Sequence, residues 1–130
     1  MINTLYRTGY IGKVELKNRL VMGPAGFGFC DEDKGAVNDR MIEFFHQRAR
    51  GGVGLIDVGA VQIDADHYTD HDMVKLYSDE FIDGFKRLAD AVHAEGAKIM
   101  GQLLHQGRYC ASREYFGEIG IGPSAVYTSY

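Results

Sequence analysis

Apolar positions change their period along this chain, and each change marks an element. Residues 10–16 set Gly12-Lys13 between short apolar pairs, which predicts a small hairpin with a tight turn. Residues 19–24 hold the apolar run Leu20-Val21-Met22 and end at Gly23-Pro24. They read as a first core strand, stopped because proline cannot donate to a ladder. Glycines at 26, 28 and 35 and charges at 31 to 34 make residues 25–37 a loop. Asn38 then caps a helix with an apolar face of Met41, Ile42, Phe44, Phe45 and Ala49. Asp39 and Glu43 suit the positive end of its dipole, Arg48 and Arg50 the negative end, and Gly51-Gly52 stops it. Residues 53–58 supply a second strand, buried at Val53, Leu55, Ile56 and Val58 and ending at Gly59. A polar loop runs through Tyr77. Ser78 caps a second helix, in which Phe81, Ile82, Phe85, Leu88, Ala89 and Val92 fall at helical spacing before Gly96. Residues 98–104 follow as a third strand, apolar enough to be buried on both faces.

The order strand, helix, strand, helix, strand has connections too long for hairpins and suited to crossovers, so the strands pair in parallel. Each βα unit has the length expected in a (β/α)8 barrel, yet a whole barrel needs about 250 residues and this chain has 130. The expected fold is α/β: part of a TIM (β/α)8 barrel, comprising an N-terminal hairpin, the first three parallel strands and two helices. Residues 1–130 then form the N-terminal portion of one barrel domain, cut short. A short open α/β sheet is the rival, but no Gly-rich turn passes directly from strand into helix as a dinucleotide fold requires.

A net charge of −4 without a Lys/Arg cluster argues against nucleic acid or an anionic membrane as partner. A small molecule is the expected ligand. The N-terminus mixes Asn3, Tyr6, Arg7 and Tyr10 with apolar residues, and no apolar run approaches membrane-spanning length, which predicts a cytoplasmic chain. Cys30 and Cys110 lack paired metal or redox spacing and are expected to be reduced thiols, Cys110 in a loop.

Parallel strands bring three ends together: residues 23–28, Gly59-Ala60, and residues 102–108. Glycines let backbone groups approach a flat ligand, and the Gln102 amide can donate and accept in one plane, as a ring edge with alternating donors and acceptors requires. From spacing alone, turns account for these glycines more simply than a site does. The run Asp64-Ala65-Asp66-His67-Tyr68-Thr69-Asp70-His71-Asp72 holds His67 and His71 one helical turn apart, a spacing open to metal. No apolar helical face accompanies it, so it reads as a solvated acidic loop with no metal site.

Three segments, Leu16-Lys17-Asn18-Arg19-Leu20-Val21-Met22, Arg48-Ala49-Arg50-Gly51-Gly52-Val53-Gly54-Leu55-Ile56 and Gln102-Leu103-Leu104-His105-Gln106-Gly107-Arg108, carry a family likeness, completed by Gly122-Pro123-Ser124-Ala125. Together they resemble the Old Yellow Enzyme family of FMN-dependent oxidoreductases, in family order over nearly the whole chain. The tyrosine after Arg108 is similar to the 2,4-dienoyl-CoA reductase and 2-enoate reductase branch, whose members often carry an iron-sulfur cluster beyond the barrel. The resemblance implies an FMN-binding barrel in which Pro24, Ala25 and Gly26 follow the first strand against the flavin, Gly59 follows the second, and Gln102 bonds the pyrimidine edge. Family members often place methionine and then threonine, serine or cysteine after the proline; Ala25-Gly26 departs from this, and Cys30 stands far along the loop. His105 and Arg108 are expected to be scaffolding around the strand end.

The implied activity of the whole enzyme is hydride transfer from NAD(P)H to FMN and on to the β-carbon of an enone, enoate or enoyl-CoA. The resemblance puts the pair that activates the substrate carbonyl, and the phosphate site, on later strands, so no catalytic residue is expected here and this chain alone should be inactive. Open sheet edges predict self-association. Two other readings stand beside this one: a non-catalytic barrel fragment or assembly piece, and a metal-dependent hydrolase on a similar barrel using residues 64–72.

Overall fold

A computed structural model of the chain describes residues 4–26, 28–31, 34–67, 73–110 and 120–126. β1 (Gly9–Ile11) and β2 (Val14–Leu16) form the expected antiparallel hairpin across the two-residue turn at Gly12-Lys13. Then come β3 (Val21–Met22), α1 (Asp39–Arg50), β4 (Leu55–Gln62), β5 (Val74–Lys75), α2 (Ile82–Ala94) and β6 (Lys98–Leu104). The central strand is β4. One edge takes β3 at its start (Met22 opposite Ile56) and β5 at its end (Val61 opposite Val74), while the other takes β6 from Leu55 opposite Lys98 to Gln62 opposite Leu104. All these pairs are parallel, so the expected order of the three main strands holds, with their C-terminal ends together.

The helices form where local chemistry places them. Asn38 Oδ1 accepts the Met41 N–H at 2.9 Å, satisfying one of the orphan donors at the start of α1. Met41, Phe45 and Ala49, four residues apart, are the buried positions of α1, and Leu88 and Val92 are those of α2. The helices pack on each other over one face of the sheet and close one core with Ile56, Val58, Val61 and Val74. Fully burying a side chain such as Leu88 contributes about 1.5–3 kcal/mol. No helix among the described residues is long and apolar enough to cross a membrane.

The segment between hairpin and β3 fastens this layer. Lys17 Nζ donates to the Ala49 carbonyl at 3.2 Å and the Glu95 carbonyl at 2.7 Å, so one cation serves the C-terminal ends of both helices. Asn18 donates through Nδ2 to the Gly52 carbonyl at 2.7 Å and accepts the Leu20 N–H at 3.0 Å. A Cβ on Gly54 would stand 2.8 Å from the Asn18 carbonyl oxygen and closer still to its Oδ1, so only glycine fits beside that side chain.

Several boundaries differ from the sequence reading. β3 covers only Val21–Met22, although the Leu20 carbonyl just before it also receives the Gly54 and Leu55 N–H groups. β4 starts at Leu55, leaves Val53 half-buried and runs through Gly59 to Gln62; its register with β6 shifts between Val58 and Val61 and pairing then resumes. Gly59 therefore lies within a strand and not at its end. The loop before Tyr77 contains β5, too short to show a period. Ser78 precedes a 3-10 turn, Asp79–Phe81, and its hydroxyl donates to Glu80 at 2.8 Å rather than capping α2. That tighter turn leaves Ile82 52% exposed, outside the buried stripe. The largest correction concerns β6, expected to be buried on both faces: Met100 is 47% and Leu103 61% exposed. β6 pairs only with β4, and among the described residues no strand lies on its other edge.

Candidate functional site

Where the strands end, a cavity of about 320 Å³ opens. The exit of β3 contributes Pro24, Ala25 and Gly26, β4 contributes Val58, Gly59 and Ala60, and the end of β6 contributes Gln102, Leu104 and Gln106. All five residues singled out for a ligand, Pro24, Ala25, Gly26, Gly59 and Gln102, thus line one space, although they span most of the chain.

Gly59 is the tight point. A Cβ there would lie 2.9 Å from Gln102 Oε1, 3.2 Å from Gln102 Cβ and closer still to Pro24 Cβ. Ala25 and Gly59 also form an isolated antiparallel bridge, which draws the β3 exit over β4. Glycine is needed here because the exits of β3 and β6 meet over its backbone. Gly26 behaves differently: a Cβ on it meets no atom within 4 Å, so its backbone borders open space. The Gln102 side chain is exposed to the cavity, and among the described residues nothing hydrogen-bonds its amide.

The sequence reading missed several walls of this cavity. Phe29 and Cys30 come from the loop after β3, Met41 and Phe45 from α1, and Met73 and Val74 from the segment containing β5. Met41 and Phe45 were legible as a buried helix face, but periodicity does not reveal that such a face also borders a pocket. Cys30, distant along the loop in sequence, is buried and borders the same cavity as Gly26. Gln106 belongs to the polar cluster after β6 and could have been found there.

A second group of polar residues stands beside the strand ends. Asp64 Oδ1 accepts the N–H groups of Asp66 at 2.8 Å and His67 at 3.1 Å, and His67 Nδ1 lies 3.1 Å from the same oxygen. His105 Nε2 is 3.4 Å from Asp64 Oδ2, while His105 Nδ1 accepts the Gly107 N–H at 2.9 Å. The Asp66 N–H, followed by the His67 side chain and N–H, holds the Asp64 carboxyl down to about 2 against the opposing effect of burial. Of the run 64–72, Asp64 and His67 come together with His105; residues 68–72, His71 among them, lie outside the described residues. Arg108 is exposed, and Gly122 lies beside it, with a would-be Cβ 3.6 Å from Arg108 Cβ. Cys110 is buried.

Residues 5–129 match the family described as NADH:flavin oxidoreductase / NADH oxidase. A metal reductase of Desulforamulus reducens is 43% identical over 125 residues, covering 96% of this chain and 18% of that protein. Among solved structures, a 2-naphthoyl-CoA reductase in complex with 2-naphthoyl-CoA superposes with a TM-score of 0.81 at 35% identity, over 88% of this chain and 17% of its own. An Old Yellow Enzyme from a Pichia species superposes with a TM-score of 0.82 at 28% identity, over 95% of this chain and 32% of its own. The parallel sheet and its two helices are thus part of a (β/α)8 barrel, and the chain spans between 17% and 32% of the length of these two solved proteins.

Proposed function

The chain belongs to the NADH:flavin oxidoreductase / NADH oxidase family, and from that premise we propose that its pocket holds the ring system of FMN in an ene-reductase that draws on NAD(P)H. The observation that carries this reading is the convergence of Pro24, Ala25, Gly26, Gly59 and Gln102 on one cavity. The fit is chemical as well as spatial. Bare backbone at Gly26 leaves room for a flat ring, and the Gln102 amide offers a donor and an acceptor with no competing partner among the described residues. Met41, Phe45 and Val58 supply an apolar wall that keeps water from that side.

FMN, when bound, supplies a carrier that takes hydride from NAD(P)H and returns it to an electron-poor carbon. The residues of this chain bind and orient: Gln102 fixes the ring edge, and Gly59 allows the strand ends to close to one another. An activated alkene is the substrate class, and the similarity to a protein solved with 2-naphthoyl-CoA favours an acyl thioester over a free enone. The exposed Val21, Met100 and Leu103 favour self-association of the isolated 130 residues.

The test is Gln102→Leu in the intact protein. One hydrogen bond to the ring contributes on the order of 1 kcal/mol, and more where its loss leaves a buried group unpaired. FMN retention should weaken or the flavin potential should move. Unchanged affinity and potential together would remove Gln102 from the site.

A further inference from the structure

We propose that Asp64 is a positioning residue which, acting through His105, sets where β6 presents Gln102 to the pocket. The inference rests on the FMN reading of that pocket. The ladder between β4 and β6 ends at the pair Gln62 and Leu104. Beyond it one backbone bond remains, from the Ile63 N–H to the Leu104 carbonyl at 3.3 Å, and then the Asp64 carboxylate meets His105.

Asp64 is itself firmly held. The side chain of Gln62, 2% exposed, donates through Nε2 to the Asp64 carbonyl, and Asp64 Oδ1 closes its own turn on the Asp66 and His67 N–H groups. That leaves Oδ2 directed at His105 Nε2. On the far side of the imidazole, Nδ1 accepts the Gly107 N–H, which pins the chain reversal that carries Gln106 along the cavity. An accepting Nδ1 puts the proton of the neutral ring on Nε2, facing the carboxylate. The same tautomer argues against a metal shared by Asp64, His67 and His105, since a metal on Nε2 would need the proton on Nδ1, where the Gly107 N–H already points. The group is therefore a polar clamp, with the Asp64 turn and the Gly107 bond at its two ends and the 3.4 Å contact of Asp64 Oδ2 with His105 Nε2 between them. It ties the exit of β4 to the exit of β6, the strand whose outer edge has no partner among the described residues.

Asp64→Asn separates the clamp from the turn. Asparagine supports the same turn through its carbonyl oxygen but presents an NH2 group to the Nε2–H of His105. In the intact protein this variant should lose FMN affinity on the order of fivefold and shift the visible flavin bands. The decisive measurement is a double-mutant cycle with Gln102→Leu. If Asp64 acts through Gln102, adding Asp64→Asn to Gln102→Leu changes FMN affinity little further. Additive losses, or unchanged flavin bands and affinity in Asp64→Asn, would overturn the proposal while leaving the FMN reading intact. No effect of Gln102→Leu alone would overturn both. Should Asp64→Asn not fold, His105→Gln opens the contact from the other side, and the same cycle decides.

Discussion

Replacing Gly59 with alanine adds one methyl where the exits of β3 and β6 close over β4. Carbon atoms rest at about 3.5–4.0 Å from one another. The new Cβ would stand 3.2 Å from Gln102 Cβ, 2.9 Å from Gln102 Oε1 and closer still to Pro24 Cβ. The Gln102 amide can rotate away, but the Pro24 ring is fixed to its own backbone, so relief requires the β3 exit to move outward by about 1 Å or more. Overpacking of this kind costs about 1–3 kcal/mol, and a rigid neighbour places this case in the upper half of that range. With a urea dependence of about 1–3 kcal/mol per molar, the unfolding midpoint should fall by roughly 1 M. Gly23→Ala is the control, because a Cβ there meets no atom within 4 Å. The assay compares urea midpoints and FMN affinity of the two variants in the intact protein. If Gly59→Ala matched Gly23→Ala in midpoint and kept its FMN, the closeness of Pro24 to Gly59 would not govern the pocket.

Lys17→Met should lower stability by about 1–2 kcal/mol, since it removes bonds to two helix-end carbonyls, and thermal unfolding would detect it; an unchanged midpoint would show that water serves those carbonyls equally well. Gly54→Ala should destabilise by about 1–3 kcal/mol through its clash with Asn18, readable in the same experiment, and a neutral result would mean that Asn18 moves freely. Asp64 gives a pH prediction. Its carboxyl titrates near 2 in the fold against an ordinary 3.8, so its contribution is complete above 3.8 and disappears as the pH falls through about 2. The stability difference between the parent and Asp64→Asn should accordingly shrink across that window; a constant difference would refute the assignment. Residues 1–130 alone should bind FMN weakly and reduce no enone. A monodisperse monomer with submicromolar FMN affinity and enone-dependent NADPH oxidation would contradict this.

What local chemistry decides was legible in the chain. Asn38 caps α1, and Met41, Phe45 and Ala49 form its buried stripe, because capping and helical period act over a few residues. The parallel order of β3, β4 and β6 followed from the lengths of their connections. The five residues expected to hold a ligand were reached through the family likeness of their segments, and all five line one cavity. Tertiary structure decided what depends on partners distant in sequence. Lys17 reads as an ordinary surface cation until the fold brings Ala49 and Glu95 to it. Gly59 reads as a strand stop, yet β4 runs through it because β5 and β6 supply partners on both edges. His105 bonds Gly107 within its own loop and also meets Asp64 from the end of β4. The apolar run of β6 showed a strand but not its exposure, because burial depends on which neighbours cover a face, and periodicity records only what the strand itself offers.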